Sequence, residues 1–129
     1  MPEMGWTTEE IYLLADRGYA FYRQGCYQEA GIIFSALVAL DPTNAYCRMA
    51  LAVLCMATGN ATRAVDELTF VLHNNPANHT ARARRCEAYC EIRSWDKAKE
   101  DLEILRRNGE GRSVERLVRR MRAAGAPGR

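Results

Sequence analysis

The sequence predicts an all-α protein made of three helix–turn–helix units followed by a C-terminal capping helix. This prediction rests on a spacing of 34 residues that recurs in four kinds of residue. The residues that recur are Ala30, Ala64 and Ala98; Gly25 and Gly59; Pro42 and Pro76; and Asn44 and Asn78. Such a period is typical of stacked helical hairpins, in which each hairpin buries its apolar face against its neighbours.

Each recurring residue has a physical role in such a hairpin. Glycine accepts the left-handed conformation that ends the first helix of the unit. Alanine, early in the second helix, is small enough to let two helices approach closely. Asp41 and Asn75 precede the prolines, and because proline disfavours a helical conformation in the residue before it, the second helix ends there. The asparagines are then natural N-caps for the next unit.

The first helix has a start signal of its own, because Thr7 and Glu10 have the spacing of a capping box. Leu14, Gly18 and Phe21 then recur at the spacing of one helical face. We expect helices near residues 8–24, 28–40, 45–58, 62–74, 79–92 and 96–107.

A final helix is expected from an N-cap at Ser113 to about Ala124. Its apolar stripe consists of Val114, Leu117, Val118 and Met121. Because a helical repeat needs a terminal element over its last exposed core face, we interpret this helix as a cap. The tail over 125–129 is expected to have no fixed structure.

The 129 residues leave room for one domain. We expect a single domain over 1–129, with repeats at about 11–44, 45–78 and 79–112 and the capping helix at about 113–124.

The composition favours a cytosolic protein. The longest apolar run, 49–57, has nine residues, fewer than the ~18 that a membrane-spanning helix needs. The segment before Arg17 does not resemble a signal peptide. The five cysteines are odd in number and include no Cys-x-x-Cys pair, which argues against a secreted disulfide scaffold and a zinc ribbon.

The charge is distributed unevenly along the chain. The net charge is +2, but residues 1–81 carry 4 basic and 8 acidic side chains, giving −4, and residues 82–129 carry 14 and 8, giving +6.

With these landmarks the sequence resembles the tetratricopeptide repeat (TPR) family of paired antiparallel helices, over about residues 11–112. The first repeat matches at Leu14, Gly18, Phe21, Ala30, Phe34 and Pro42, the second at Leu51, Ala52, Gly59, Ala64, Leu68 and Pro76, and the third at Cys86, Tyr89, Ala98 and Leu102. In the third repeat Arg93 replaces the turn glycine and Glu110 the proline. The resemblance implies a helical solenoid whose first helices line a concave groove.

By this resemblance a defined set of first-helix positions faces the groove. We expect the partner-binding residues to be Tyr12, Asp16, Tyr19, Tyr22, Arg23, Tyr46, Met49, Val53, Met56, Arg84 and Glu87, with Ala15, Ala50, Ala57, Thr80, Ala83, Cys90 and Glu91 at the remaining inward positions. Exposed apolar surface of this extent marks a partner site. The alternative is that some of these residues, Val53 and Ala50 in particular, belong to the core.

The groove positions also indicate the kind of partner. Relatives that bind a C-terminal carboxylate use inward Lys, Asn and Arg side chains, whereas this chain has Ala15, Tyr19 and Ala50 there and keeps only Arg84. We therefore expect an apolar segment to bind, either extended or as an amphipathic helix.

Residues 15–41 resemble the first repeat of small bacterial type III secretion chaperones. This resemblance implies a bacterial cytoplasmic protein, involved in protein transport and virulence, that keeps a secreted needle, translocator or other early export subunit soluble and monomeric. Only about ten residues precede the first repeat, which favours the shorter chaperones over translocator chaperones with their longer leading helix. A co-chaperone or a homodimer is possible. The alternative is a generic adaptor in another assembly.

Other classes of function have less support in the sequence. The sequence contains no phosphate-binding glycine loop and no nucleophile motif, so no enzyme activity or cofactor is expected. His79, Cys86 and Cys90 share one helical face, but cysteines at such core-like positions more often act as small apolar residues, so no metal is expected. Residues 106–129 carry eight arginines without interleaved aromatic residues, and neither nucleic-acid binding nor membrane insertion is expected.

Overall fold

A computed structural model describes residues 6–128 of the chain. These residues form seven α-helices and no strand, which confirms the all-α prediction. The helices are α1 (Thr8–Arg23), α2 (Tyr27–Leu40), α3 (Ala45–Ala57), α4 (Ala61–Asn74), α5 (His79–Glu91), α6 (Trp95–Arg107) and α7 (Gly111–Ala123). Within the described part of the chain no helix is both long and apolar enough to cross a membrane.

The chain divides into two compact units. The first, Met1–Asn60, contains α1, α2 and α3, and the second, Ala61–Arg129, contains α4 to α7.

The predicted helix starts are confirmed by their hydrogen bonds. At α1 the Glu10 backbone N–H donates to the Thr7 Oγ1 at 3.0 Å, and the Thr7 N–H donates to Glu10 Oε1 at 2.9 Å, which completes the capping box. Asn44 accepts from the N–H of the third residue of α3 at 3.2 Å, and Asn78 does the same for α5 at 3.0 Å. Each cap satisfies a backbone donor that would have no partner within its helix.

The turns inside the hairpins are left-handed, as predicted. Gly25 and Gly59 both have φ of +80°, a conformation that costs glycine little. In the third hairpin Arg93 occupies the same place with φ of +58°, which costs a side chain about 1–2 kcal/mol. Its guanidinium donates to the Ala124 carbonyl oxygen at 3.2 Å and lies 6.0 Å from the centroid of the Trp95 ring. These two contacts offset part of that cost.

The core of the first unit depends on a close approach between α1 and α2. Gly18 in α1 is buried, and a Cβ atom there would lie 2.5 Å from Cε1 of the Phe34 ring, which is itself fully buried. Glycine is therefore required at the crossing point. Ala30, the repeating alanine, is also fully buried in this unit.

The core of the second unit is one apolar cluster shared by α5, α6 and α7. Its members are Ala83, Cys86, Cys90, Ala98, Leu102, Leu105, Val114, Leu117 and Met121. The predicted apolar stripe of the last helix is therefore confirmed, because its residues pack into this cluster or, as Val118 does, against it.

The predicted start of the last helix was wrong, and so was the expectation that Gly125 and Ala126 have no fixed structure. The predicted end near Ala124 is confirmed, because α7 ends at Ala123 with Ala124 as C-cap. Helix α7 begins at Gly111 with Glu110 as N-cap, and Ser113 lies within its first turn. The reason is that Gly109, with φ of +76°, completes the preceding turn and leaves the next residues free to be helical. The tail is ordered through Ala126, whose N–H donates to the Met121 carbonyl oxygen at 2.9 Å and whose side chain packs against the core cluster.

Candidate partner-binding surface

Four tyrosines of the first unit form a connected surface, called here the tyrosine surface: Tyr12, Tyr19 and Tyr22 of α1 and Tyr46 of α3. The Tyr12 and Tyr46 rings meet edge to face with their centroids 5.0 Å apart. Tyr19 lies 6.2 Å from Tyr46 and 6.4 Å from Tyr22. These separations are in the favourable range for aromatic pairs, so the rings hold one another in place.

Among the four rings of the tyrosine surface, Tyr12 and Tyr46 are the most exposed. Tyr12 is 43% exposed and Tyr46 is 37% exposed, whereas Tyr19 and Tyr22 are half-buried. Tyr19 is fixed from below by the buried Phe34 ring, 5.1 Å away between centroids. A preorganised aromatic surface offers large contact area at low entropic cost.

Tyr27, the first residue of α2, extends the surface and was missed by the sequence analysis. Its ring lies 5.7 Å from that of Tyr22 and is 39% exposed. The sequence contained a usable signal, because the left-handed turn at Gly25 brings the end of α1 and the start of α2 close together.

Charged groups flank the tyrosine surface on α1. Asp16 and Arg23 are both exposed. The pKa of Tyr46 is raised by partial burial and, next in importance, by the negative charge of Asp16. A cavity of about 570 Å³ beside this point is lined by Thr7, Glu9, Glu10, Tyr12, Leu13 and Asp16. The rim of the surface is therefore acidic beside Tyr12.

The remaining predicted residues of the first unit lie on α3. Met49, Val53 and Met56 are half-buried and share one helical face with Tyr46. Ala15 and Ala50, which were also expected to face the groove, are fully buried. They are core residues and cannot contact a partner, so the core alternative was right for Ala50.

In the second unit the residues that were predicted to contact a partner are of three kinds: exposed, already in an ion pair, or buried in the core. Arg84 is exposed. Glu87 forms an ion pair with Arg116 of α7 at 2.6 Å. Ala83 and Cys90 belong to the core cluster of this unit, so they too cannot reach a partner. The predicted inward face of α5 is thus largely occupied by α7 and the core.

A buried charge network that the sequence analysis missed joins the helices of the second unit. Asp101 of α6 is 1% exposed and accepts from Arg85 at 2.7 and 2.9 Å and from Arg82 at 3.1 Å. Arg85 also donates to the Thr69 hydroxyl of α4 at 3.2 Å, and its hydrogen bonds with Asp101 raise its pKa. Arg82 donates to the Pro76 carbonyl oxygen at 3.0 Å. In the sequence Asp101 lies 16 positions after Arg85 and 19 positions after Arg82. Such separations produce no periodic pattern from which the ion pairs could have been predicted.

The three residues considered for a metal site do not form one. Within residues 6–128 no group of three His, Cys, Asp or Glu side chains is arranged to hold a metal ion. The Cys86 thiol points to the Ala98 carbonyl oxygen at 3.4 Å, and its pKa is raised by a hydrogen bond with Cys90 and by burial.

Comparison with known proteins identifies the fold. No family model matches the chain, and no curated protein is significantly similar in sequence. Among solved structures, the first TPR domain of Spaghetti (RPAP3), bound to the HSP90 peptide SRMEEVD, superposes with a TM-score of 0.79 at 20% identity, covering 92% of this chain and 94% of that one. PcrH in complex with the chaperone binding region of PopD gives 0.78 at 18% identity, covering 93% and 94%. The type III secretion translocator chaperone SycD of Yersinia enterocolitica gives 0.77 at 17% identity, covering 92% and 86%.

The fold is that of the tetratricopeptide repeat. The chain is similar in structure to TPR domains, and these include type III secretion chaperones, which confirms the predicted fold class of three helical hairpins and a capping helix.

Proposed function

We propose that this chain is a cytosolic bacterial type III secretion chaperone. It binds an apolar or amphipathic segment of a secreted subunit (needle, translocator or other early export component) and keeps that subunit soluble and monomeric before export. It acts by binding alone, without catalysis. The observation that carries the proposal is the tyrosine surface of the first unit, with two rings more than a third exposed and joined edge to face.

The physical basis of the action is the burial of apolar surface. A secreted subunit with an exposed amphipathic segment aggregates when it is left free. Transfer of that segment onto aromatic and thioether side chains stabilises the complex by roughly 25 cal/mol per Å² of apolar area removed from water. Met49, Val53 and Met56 continue the apolar face of α3 beyond Tyr46, and methionine adapts to irregular partners.

The structural neighbours support the same class of ligand. PcrH is seen with the chaperone binding region of PopD, and SycD with a peptide of the translocator YopD. The RPAP3 domain instead binds the HSP90 peptide SRMEEVD, which suits the alternative of a generic adaptor. The acidic rim at Asp16, Glu9 and Glu10 disfavours an acidic peptide beside Tyr12.

The two units are proposed to act as one domain over 1–129, with repeats at about 11–44, 45–78 and 79–112. The remaining predicted contacts, Arg84 and Glu87, are proposed to lie at the edge of the binding site in the second unit. Because Glu87 is already paired with Arg116, partner binding there would exchange one ion pair for another.

The proposal is tested by co-expression of the tagged chain with the proteins encoded beside its gene. A small, aggregation-prone secreted subunit that becomes soluble and co-purifies at equal stoichiometry supports the chaperone. Co-purification of a folded enzyme or receptor, or binding of the SRMEEVD peptide in calorimetry, supports the adaptor and contradicts the chaperone.

The tyrosine surface is tested with Tyr12→Ala and Tyr46→Ala in the same complex. Each truncation is expected to raise the Kd by about tenfold, because exposed aromatic anchors dominate such interfaces. Ile92→Ala is the matched control, because Ile92 is 40% exposed but belongs to the second unit and is not part of the tyrosine surface. An equal affinity for all four proteins would locate the binding site elsewhere.

A further inference from the structure

A pocket of about 470 Å³ in the second unit, called here the lysine pocket, is lined by the start of α6 and by the C-terminal tail. Three cationic side chains line it, Arg93, Lys97 and Lys99, together with the Trp95 ring and the Asp96 carboxylate. Lys97 and Lys99 are the two lysines of the chain. Both lysines therefore meet an arginine and an aromatic ring at one place.

The first two hairpins do not carry these cations, although they have the same backbone framework. The positions of Arg93, Lys97 and Lys99 are held by Gly25, Glu29 and Gly31 in the first hairpin and by Gly59, Arg63 and Val65 in the second. Arg63 already pairs with Glu67 at 3.7 Å. The place of Trp95 is taken by Tyr27 and Ala61. Positive charge is thus what distinguishes the third hairpin here.

The charge of the lysine pocket is not neutralised from within. Among residues 6–128 neither the Lys97 nor the Lys99 ammonium has an ion-pair partner. Lys97 is exposed and Lys99 is half-buried. Three cations against the one carboxylate of Asp96 leave the pocket with a net positive charge.

Arg93 has a backbone conformation that a side chain makes costly. Its φ is +58°, in the left-handed turn that Gly25 and Gly59 form in the other hairpins, and glycine would adopt that turn with less strain. Residues that keep such strain cluster at functional sites. The guanidinium donates one hydrogen bond, to the Ala124 carbonyl oxygen at 3.2 Å, and its remaining N–H groups can serve a ligand.

We propose that the lysine pocket binds an acidic peptide segment of a partner protein, with a carboxylate between the cations and an apolar side chain against Trp95. Carboxylates form strong, charge-assisted hydrogen bonds with arginine and lysine. The Trp95 ring is held against the core cluster of the second unit, so it offers a fixed apolar surface. The net charge of +6 on residues 82–129 attracts a partner of opposite sign.

Two features of the lysine pocket favour a peptide over a nucleic acid. The Asp96 carboxylate can accept from a backbone N–H, which a peptide supplies, whereas it repels a phosphate. Peptide backbone already packs at this place, because Arg93 holds the Ala124 carbonyl and Pro127 lines the pocket.

This inference goes beyond the proposed function and does not depend on it. The lysine pocket belongs to the second unit and shares no residue with the tyrosine surface, which belongs to the first. The variant Tyr46→Ala is therefore expected to bind an acidic peptide as the wild type does.

The test is nuclear magnetic resonance of the untagged chain grown on ¹³C-labelled lysine, which gives signals from two residues that both line the pocket. The probe is the acetylated and amidated peptide Gly-Glu-Leu-Glu-Gly, and its control is Gly-Gln-Leu-Gln-Gly. The glutamate peptide is expected to shift both lysine signals saturably. The glutamine peptide is expected to bind about tenfold more weakly or worse, because it lacks the charged hydrogen bonds.

Three variants of the chain assign the effect to the lysine pocket. Lys97→Gln and Arg93→Gly are each expected to raise the Kd of the glutamate peptide by about tenfold. Arg93→Gly is expected to keep the thermal midpoint, because the relaxed turn offsets the lost hydrogen bond to Ala124. Arg112→Gln is the matched control, because Arg112 is an exposed cation of the second unit outside the pocket, and its Kd is expected to stay unchanged.

Four results would each overturn the inference. The first is the absence of saturable lysine shifts at millimolar glutamate peptide, and the second is an equal Kd for the glutamine peptide. The third is an equal loss of affinity in Arg112→Gln, which would indicate attraction by the overall charge alone. The fourth is tighter binding of single-stranded DNA or of inorganic phosphate with the same shifts, which would assign the pocket to phosphate groups. An Arg93→Gly variant with a lower midpoint and an unchanged Kd would likewise assign that side chain to the fold and contradict its role in binding.

Discussion

The two units of this chain treat apolar and charged side chains in opposite ways. Of the exposed large apolar residues within 6–128, six lie in the first unit, at Trp6, Tyr12, Leu13, Tyr27, Ile32 and Tyr46, and Ile92 alone lies in the second. The buried charged residues of the same part of the chain, Glu67, Arg82 and Asp101, all lie in the second unit. The same helical repeat therefore exposes large apolar side chains mainly in the first unit and buries charged side chains in the second.

This difference suggests that the two units have different roles. The first unit places apolar side chains where they weaken solubility, which is expected of a surface that is covered by a partner. In the second unit, ion pairs and hydrogen bonds join α4, α5, α6 and α7, and these interactions hold the four helices in position. The same 34-residue framework tolerates both arrangements because its core positions, such as Ala30, Ala64 and Ala98, are fully buried in each.

The largest expected effect is on the buried network of the second unit. Asp101→Asn leaves the guanidinium groups of Arg82 and Arg85 without a counter-charge at a site that is 1% exposed. Removing one partner of a buried ion pair costs about 3–5 kcal/mol. Urea unfolding followed by circular dichroism measures the loss in the free energy of unfolding.

Glu103→Gln is the control for that experiment, because Glu103 lies on the same helix and pairs with Arg106 and Arg107 at an exposed site. Its loss is expected to be at most about 1 kcal/mol. Equal losses in the two variants would show that the buried network does not stabilise the second unit more than a surface pair does.

A smaller effect is expected at the helix crossing of the first unit. Gly18→Ala places a Cβ atom 2.5 Å from the rigid Phe34 ring, and overpacking of this kind costs about 1–3 kcal/mol. Gly111→Ala is the matched control, because no atom lies within 4 Å of its added Cβ, and it is expected to keep or raise the thermal midpoint. A Gly18→Ala variant as stable as wild type would mean that α1 and α2 separate at little cost.

The smallest effect tests whether the two units unfold together. Asn44→Ala and Asn78→Ala each remove one N-cap hydrogen bond, in the first and second unit respectively, and each is expected to cost about 1 kcal/mol. If residues 1–129 form one domain, either change speeds amide hydrogen exchange at the most protected amides of both units. Acceleration confined to the mutated unit would contradict the single domain.

The helix boundaries were predictable because the chemistry that sets them is local. Thr7 with Glu10, and Asn44 and Asn78, each act on a backbone group three residues away. The start of α7 was missed for a related reason, because the turn at Gly109 had already ended before Ser113 was reached.

The candidate partner-binding surface was predictable only in part. The resemblance to the TPR family placed Tyr12, Tyr19 and Tyr46 at inward positions, but it placed Ala15 and Ala50 there as well, and these two are fully buried. Position on a helical wheel fixes direction to within a few tens of degrees. Whether a residue at the edge of a helical face is buried depends on the size of the side chains that neighbouring helices pack against it. The sequence of one helix does not contain that information.

The sequence by itself determined the repeat, because its spacing of 34 residues is visible in the chain. It also determined the hairpin turns, the caps and the apolar stripes, because each of these depends on residues within about one or two helical turns of one another. Only the tertiary structure decided that Glu87 pairs with Arg116, that Asp101 holds two arginines, and that the tyrosine rings of α1 and α3 touch. Those contacts join side chains on different helices, so their formation depends on how the helices pack.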